Sequence, residues 1–135
     1  MKAVPILREQ MDELLRFLPL FDIPGKQFVE RWNGGRQQDG TIIMPSPVYL
    51  PEVEDFFRLA AHPPWCDRDY DPDSAGAMLD DDAAVSGADL DQIRSMLTYC
   101  ERGERFCDGH WGAMLSSGRV VKLLRRLELL RDAGP

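Results

Sequence analysis

Val120, Leu123, Leu124, Leu127 and Leu130 fall on one arc of a helix, and Arg119, Lys122, Arg125 and Arg126 fall on the opposite arc. A stripe this apolar must be received by a core, so it constrains the rest of the chain. Phe106 to Leu115 just before it also has helical spacing, and only Ser116, Ser117 and Gly118 separate the two. Glycine suits the left-handed residue that ends a helix. So short a turn forces neighbouring helices into contact, which predicts a helical hairpin of Phe106–Leu115 and Val120–Leu130.

Three more segments read as helices that could complete such a core. Over Ile6 to Leu18, Leu7, Met11, Leu14, Leu15 and Leu18 alternate with charges, and Pro19 is expected to stop the helix. Pro51 to His62 opens on proline with Glu52 and Glu54 in its first turn, and Pro63-Pro64 closes it. Ala88 to Cys100 places Leu90, Ile93, Met96, Leu97 and Cys100 at helical steps. Between the first two lies a Gly/Pro-rich excursion. There "GKQFVERW" predicts a short helix, and "TIIM" and "PVYL" are β-prone runs that could pair as a small ribbon. Cys66 to Ser86 is expected to be the least structured part, with a short helix over Ser74 to Leu79. The fold class is mainly α: one compact helical domain over 1–135, with four to five helices, a Gly/Pro-rich loop and a candidate short β-ribbon.

Charge narrows the partners. The net charge is −7, but residues 67–91 hold nine acids against one arginine, and the remainder is close to neutral. This argues against generic nucleic-acid affinity and leaves room for a local basic face. Three cysteines, an odd and sparse count, read as reduced thiols. The charged start of the chain shows no leader core, and no run is long enough to span a bilayer. A cytoplasmic domain with no membrane association is expected.

Trp32, Gly35, Gly40, Met44, Pro45, Tyr49, Val53 and Phe56 form a patterned first half. Arg105, Phe106, Cys107, Gly109, His110, Gly118, Leu124, Arg125, Arg126 and Leu127 form a patterned close. On these residues the chain resembles a family of uncharacterised bacterial and phage domains that closes on Arg-Phe-Cys-x-Gly-His and a Leu-Arg-Arg-Leu helix. The resemblance does not extend over Pro63 to Gly87, and Trp111 stands where a smaller apolar residue is expected. It implies no activity, cofactor or catalytic residue.

Four patterns could carry chemistry. Cys107 and His110 with His62 and Cys66 are a chemically sensible zinc set, although C-x-x-H is not a finger spacing. The plainer reading has Cys107 buried in the core and His110 holding a backbone carbonyl. Cys107 beside His110 could also be a nucleophile, but Asp108 disfavours a thiolate and no oxyanion hole is evident. Asp67, Asp69, Asp71 and Asp73 alternate as in a calcium loop, yet Pro72 replaces the turning glycine and Met78 the closing glutamate. "WNGGRQQDG" lacks the Gly-Lys-Ser/Thr of a phosphate loop, but Trp32, Arg36, Gln37 and Gln38 could form a binding edge.

The closing helix pair has the outline of a helix-turn-helix, with Arg119, Lys122 and Arg126 on the outer face. That face lacks Asn, Gln, Ser or Thr for base readout, and Arg125 or Arg126 could instead pair with the acidic segment. No catalytic residue, cofactor or metal is assigned. The first expectation is a non-enzymatic module that binds a protein partner or forms a homodimer. A nucleic-acid-binding regulator comes second, and a metal- or thiol-dependent site at Cys107/His110 third.

Overall fold

A computed structural model describes residues 5–134; the first few residues, part of the start read for a leader, lie outside that range. The fold is mainly α, with one two-stranded antiparallel sheet. The helices are α1 (Arg8–Leu15), α2 (Leu18–Phe21), α3 (Pro51–Ala60), α4 (Pro72–Leu79), α5 (Asp82–Ser86), α6 (Leu90–Arg102), α7 (His110–Ser116) and α8 (Arg119–Ala133), and the strands are β1 (Val29–Arg36) and β2 (Ile42–Tyr49). Seven of these helices have five residues or more and α2 is a single turn, so four to five was too few.

In the acidic segment α4 covers the short helix expected over Ser74 to Leu79, and α5 is an additional one. Asp71 caps α4 by accepting from the Asp73 amide, and Asp81 caps α5 by accepting from Ala83 and Ala84. Asp89 and Gln92 form a reciprocal capping box at α6. Asp67 accepts from the Asp69 amide and from the Ser95 hydroxyl. The Asp71, Asp81 and Asp89 carboxylates satisfy orphan helix donors, the ordinary work of aspartate, in place of a calcium shell. Pro19 likewise opens α2 instead of ending a long first helix.

The excursion also differs from expectation. Val29–Arg36 is a strand, and Ile42–Tyr49 is one continuous strand paired with it, so the ribbon forms between "VERWNGGR" and "IIMPSPVY". Gly34 and Gly35 have positive φ and cannot prolong a helix, whereas Val29 and Trp32 suit a pleated partner. The ladder is irregular between Val29 and Arg31 and between Asn33 and Gly35.

α8 lies across the molecule against α1, α2, α5, α6 and α7. Val120, Leu123, Leu124 and Leu127 are buried on that face, as are Ile93, Met96, Leu97 and Cys100 of α6. Gly118, at φ +81°, donates its amide to the Leu115 carbonyl and turns the chain from α7 into α8. Phe17, Phe21, Phe28, Phe56 and Phe57 form an aromatic cluster under α1 and α3.

Candidate functional site

The hairpin and the segment between α6 and α7 meet at Glu104. α6 ends at Arg102, a 3₁₀ turn covers Gly103–Arg105, and α7 starts at His110 after Gly109, at φ +91°. Gly109 has no side chain to cap α7. Glu104 does this from five residues upstream: its carboxylate accepts from the Gly109 amide at 2.9 Å and the Trp111 amide at 2.8 Å. It accepts a third bond at 2.8 Å from the Tyr49 hydroxyl at the end of β2. The Gly112 amide in turn donates to the Tyr49 oxygen at 3.3 Å. Burial, and then the bond to Glu104, push the Tyr49 phenol well above its ordinary range, so it remains the donor.

Aromatic packing surrounds this clamp. Trp111 stacks on Phe57 with ring centres 4.6 Å apart, lies 5.3 Å from the Tyr49 ring centre, and donates its indole N–H to the Glu101 carbonyl. A large ring therefore fits where a smaller residue was expected, because it closes the gap between α3 and the hairpin base. Gly112 is small for a reason: a Cβ there would sit 3.3 Å from Val29 Cγ2. At Gly109 a Cβ would sit 3.2 Å from Trp32 Cη2, so the indole lies against the turn. Val29, Trp32 and Tyr49 thus root the hairpin in the closing segment.

Beyond that root the hairpin is an arm. Trp32 is 53% exposed, Ile42 76%, Ile43 54% and Met44 81%. Phe106, in the turn that Trp32 touches, is 87% exposed. Arg36 lies on the arm, exposed, beside the Gln37–Gly40 turn. An open groove of about 500 Å³ runs between β1 and α7, lined by Lys26, Trp32, Gly109, Gly112 and Ser116 among others.

The four candidate metal ligands do not converge: among the described residues no group of three or more His, Cys, Asp or Glu is placed to hold a metal ion. His62 Nδ1 is 2.7 Å from the Arg58 carbonyl, inside its own helical turn, and Cys66 follows in the next turn with its amide on the His62 carbonyl. Cys107 is exposed, against the expectation of a core thiol. The reversal at Gly109 stops the helix from reaching back to Phe106, so residues 106 and 107 point outward. His110 is half-buried, its ring edge-to-face with Tyr99 at 5.5 Å and against Gly103, where a Cβ would collide with it. Burial lowers its pKa against the opposing pull of Glu104 and the Tyr99 carbonyl, and its Nε2 is buried without a hydrogen-bond partner among the described residues.

The basic face of α8 is engaged. Arg119 pairs with Asp80 at 2.7 Å and Lys122 with Asp82 at 2.8 Å. Arg125 reaches Asp22, and Arg126 donates to the Ala88 carbonyl at 2.8 Å. The acidic segment is therefore held by Arg119, Lys122 and Arg126, with Arg125 turned elsewhere. Glu104 was missed in the sequence, although a helix opening on glycine without a side-chain cap requires an acceptor from elsewhere, and Glu104 precedes it.

No helix among the described residues is long and apolar enough to cross a membrane. No curated protein and no solved structure matches the chain. The profile of a family of unknown function, DUF6508, covers residues 6–133, almost the whole chain, and the chain belongs to that family.

Proposed function

We propose that this domain is a non-enzymatic association module whose contact surface is the β1–β2 arm together with the Phe106 turn. The observation that carries this is the exposure of Ile42 at 76% and Met44 at 81% on an arm with a firmly packed root. A monomer with no partner seldom holds such side chains together in water. Trp32 and Arg36, singled out in the sequence as a binding edge, both lie on this arm. A reducing, cytoplasmic setting fits the three free thiols Cys66, Cys100 and Cys107.

Nucleic-acid binding is the runner-up. Arg119 and Lys122 already have carboxylate partners, so phosphate would have to displace Asp80 and Asp82. A thiol or metal site at Cys107 and His110 ranks third, since only the thiol is exposed and the ring is packed on Gly103.

The test is a photo-crosslinking residue placed at position 42, with position 58 on α3 as control. The Arg58 side chain is 67% exposed and lies on α3, outside the arm. One adduct of defined mass from position 42, and none from position 58, is expected. Equal labelling at both positions, or none at 42, would remove the association reading.

A further inference from the structure

Gly103 is a glycine that its own backbone does not require. It closes α6 at φ −58° and ψ −27°, where alanine is equally at ease. The His110 ring requires it: a Cβ on residue 103 would overlap the ring's Cδ2 and Nε2. The imidazole is thus seated directly on the main chain, and it meets the Tyr99 ring edge-to-face at 5.5 Å. In that seat Nε2 is buried with no hydrogen-bond partner among the described residues. A neutral ring tolerates this, because its bare nitrogen forgoes a single acceptor bond. An imidazolium does not, because Nε2 would then carry a charged N–H with no acceptor.

The groups around the seat do not rescue that proton. From α6, Tyr99 supplies its ring and its carbonyl, while Arg102 is turned to the Tyr70 ring, 5.5 Å away. From α8, Arg119 repels a positive ring. From the 3₁₀ turn, Glu104 attracts it, but that carboxylate already receives the Tyr49 hydroxyl and the Gly109 and Trp111 amides. On the ring's own turn Arg105, Cys107 and Asp108 are exposed. Burial outweighs the attraction and holds the imidazole below its ordinary 6.5.

We propose that His110 is an acid-operated latch: protonation drives its ring off Gly103 and frees the 103–109 turn from α7. An imidazolium displaced toward Glu104 competes with the Gly109 and Trp111 amides for the carboxylate, so the cap of α7 loosens with it. The freed turn carries Phe106, and its Gly109 lies against the Trp32 indole. The latch stands without the association reading. Where that reading holds, acid reshapes the contact surface at Phe106 and Trp32.

Hydrogen exchange of the full chain between about pH 7.5 and about pH 5, corrected for the intrinsic rate, tests the latch beside an NMR titration of the His110 ring. The Gly109 and Trp111 amides should lose protection as pH falls below about 6.5, by up to ~10-fold per pH unit, the limit for one proton. The change should follow the titration of His110 and not that of His62. The α8 amides should remain far better protected at every pH, which marks the opening as local. His110→Gln should abolish the dependence. Gly103→Ala should expel the ring without acid, leaving the turn unprotected already at neutral pH. If His110→Gln fails to fold, Gly103→Ala and the wild-type titration still decide. Turn protection that ignores the titration of His110, turn amides that exchange only together with α8, a dependence that survives His110→Gln, or a Gly103→Ala chain with wild-type protection overturns the proposal.

Discussion

The Tyr49 hydroxyl donates to Glu104 at 2.8 Å while accepting from the Gly112 amide, so one phenol ties the end of β2 to both sides of the turn before α7. Glu104 gathers three donors on one carboxylate. Removing it leaves partly buried N–H groups unpaired. Glu104→Ala should cost about 2–4 kcal/mol and Tyr49→Phe about 1–2 kcal/mol in denaturant unfolding. In a double-mutant cycle the two should couple by about 1 kcal/mol or more; additive losses would show that the pair is incidental.

Leu127 is fully buried in the α8 stripe, whereas the Arg125 side chain is 59% exposed. Leu127→Ala should cost about 2–5 kcal/mol. Arg125→Ala should cost under ~1 kcal/mol, because its pair with Asp22 is screened by water. Chemical denaturation reads both, and a near-neutral Leu127→Ala would contradict the packing.

The cysteines should differ sharply in reactivity. Cys107 is exposed, and Cys100 is buried with its thiol pushed up to about 12 by that burial. A soluble thiol reagent should modify Cys107 in the folded protein and reach Cys100 only on unfolding. Mass mapping of the labelled peptides distinguishes the two, and prompt native labelling of Cys100 would contradict this placement.

His110 predicts an acid-side loss of stability. Its folded pKa lies below the ordinary 6.5, so the unfolded chain takes up a proton first. Its contribution is intact above about 6.5 and falls as pH drops from there toward the lowered folded value. His110→Gln should flatten the slope of stability against pH in that window. An unchanged slope would place the titration elsewhere.

Much of the helical fold was legible because burial and period agree. Leu123, Leu124 and Leu127 repeat at helical spacing and are buried, and Gly118 ends α7 as its chemistry requires. The strand at "VERWNGGR" was not legible locally, because its helix-compatible start is overruled by a partner many residues away. In the acidic stretch the helix over Ser74 to Leu79 was legible, but the cap at Asp71 and the second helix over Asp82–Ser86 were not, because Asp71 and Asp81 look like solvated charge until their helix amides are seen. Cys107 was misplaced for a related reason: the helical spacing of residues 106 to 115 is real only from His110 on, once Gly109 reverses the chain. At the candidate site Trp32 and Arg36 were visible as loop residues. The exposure of Ile42 and Met44 was not, since β-prone apolar runs usually pack inward.

Hydrogen exchange on the full chain, compared between dilute and concentrated protein, tests the arm most directly. Amides around Ile42 to Ser46 and the turn at Phe106 should gain protection as concentration rises, while α8 stays unchanged. Protection that ignores concentration would exclude a second copy as the partner, and protection that rises on the Arg119–Lys122 face and not on the arm would contradict the role given to it.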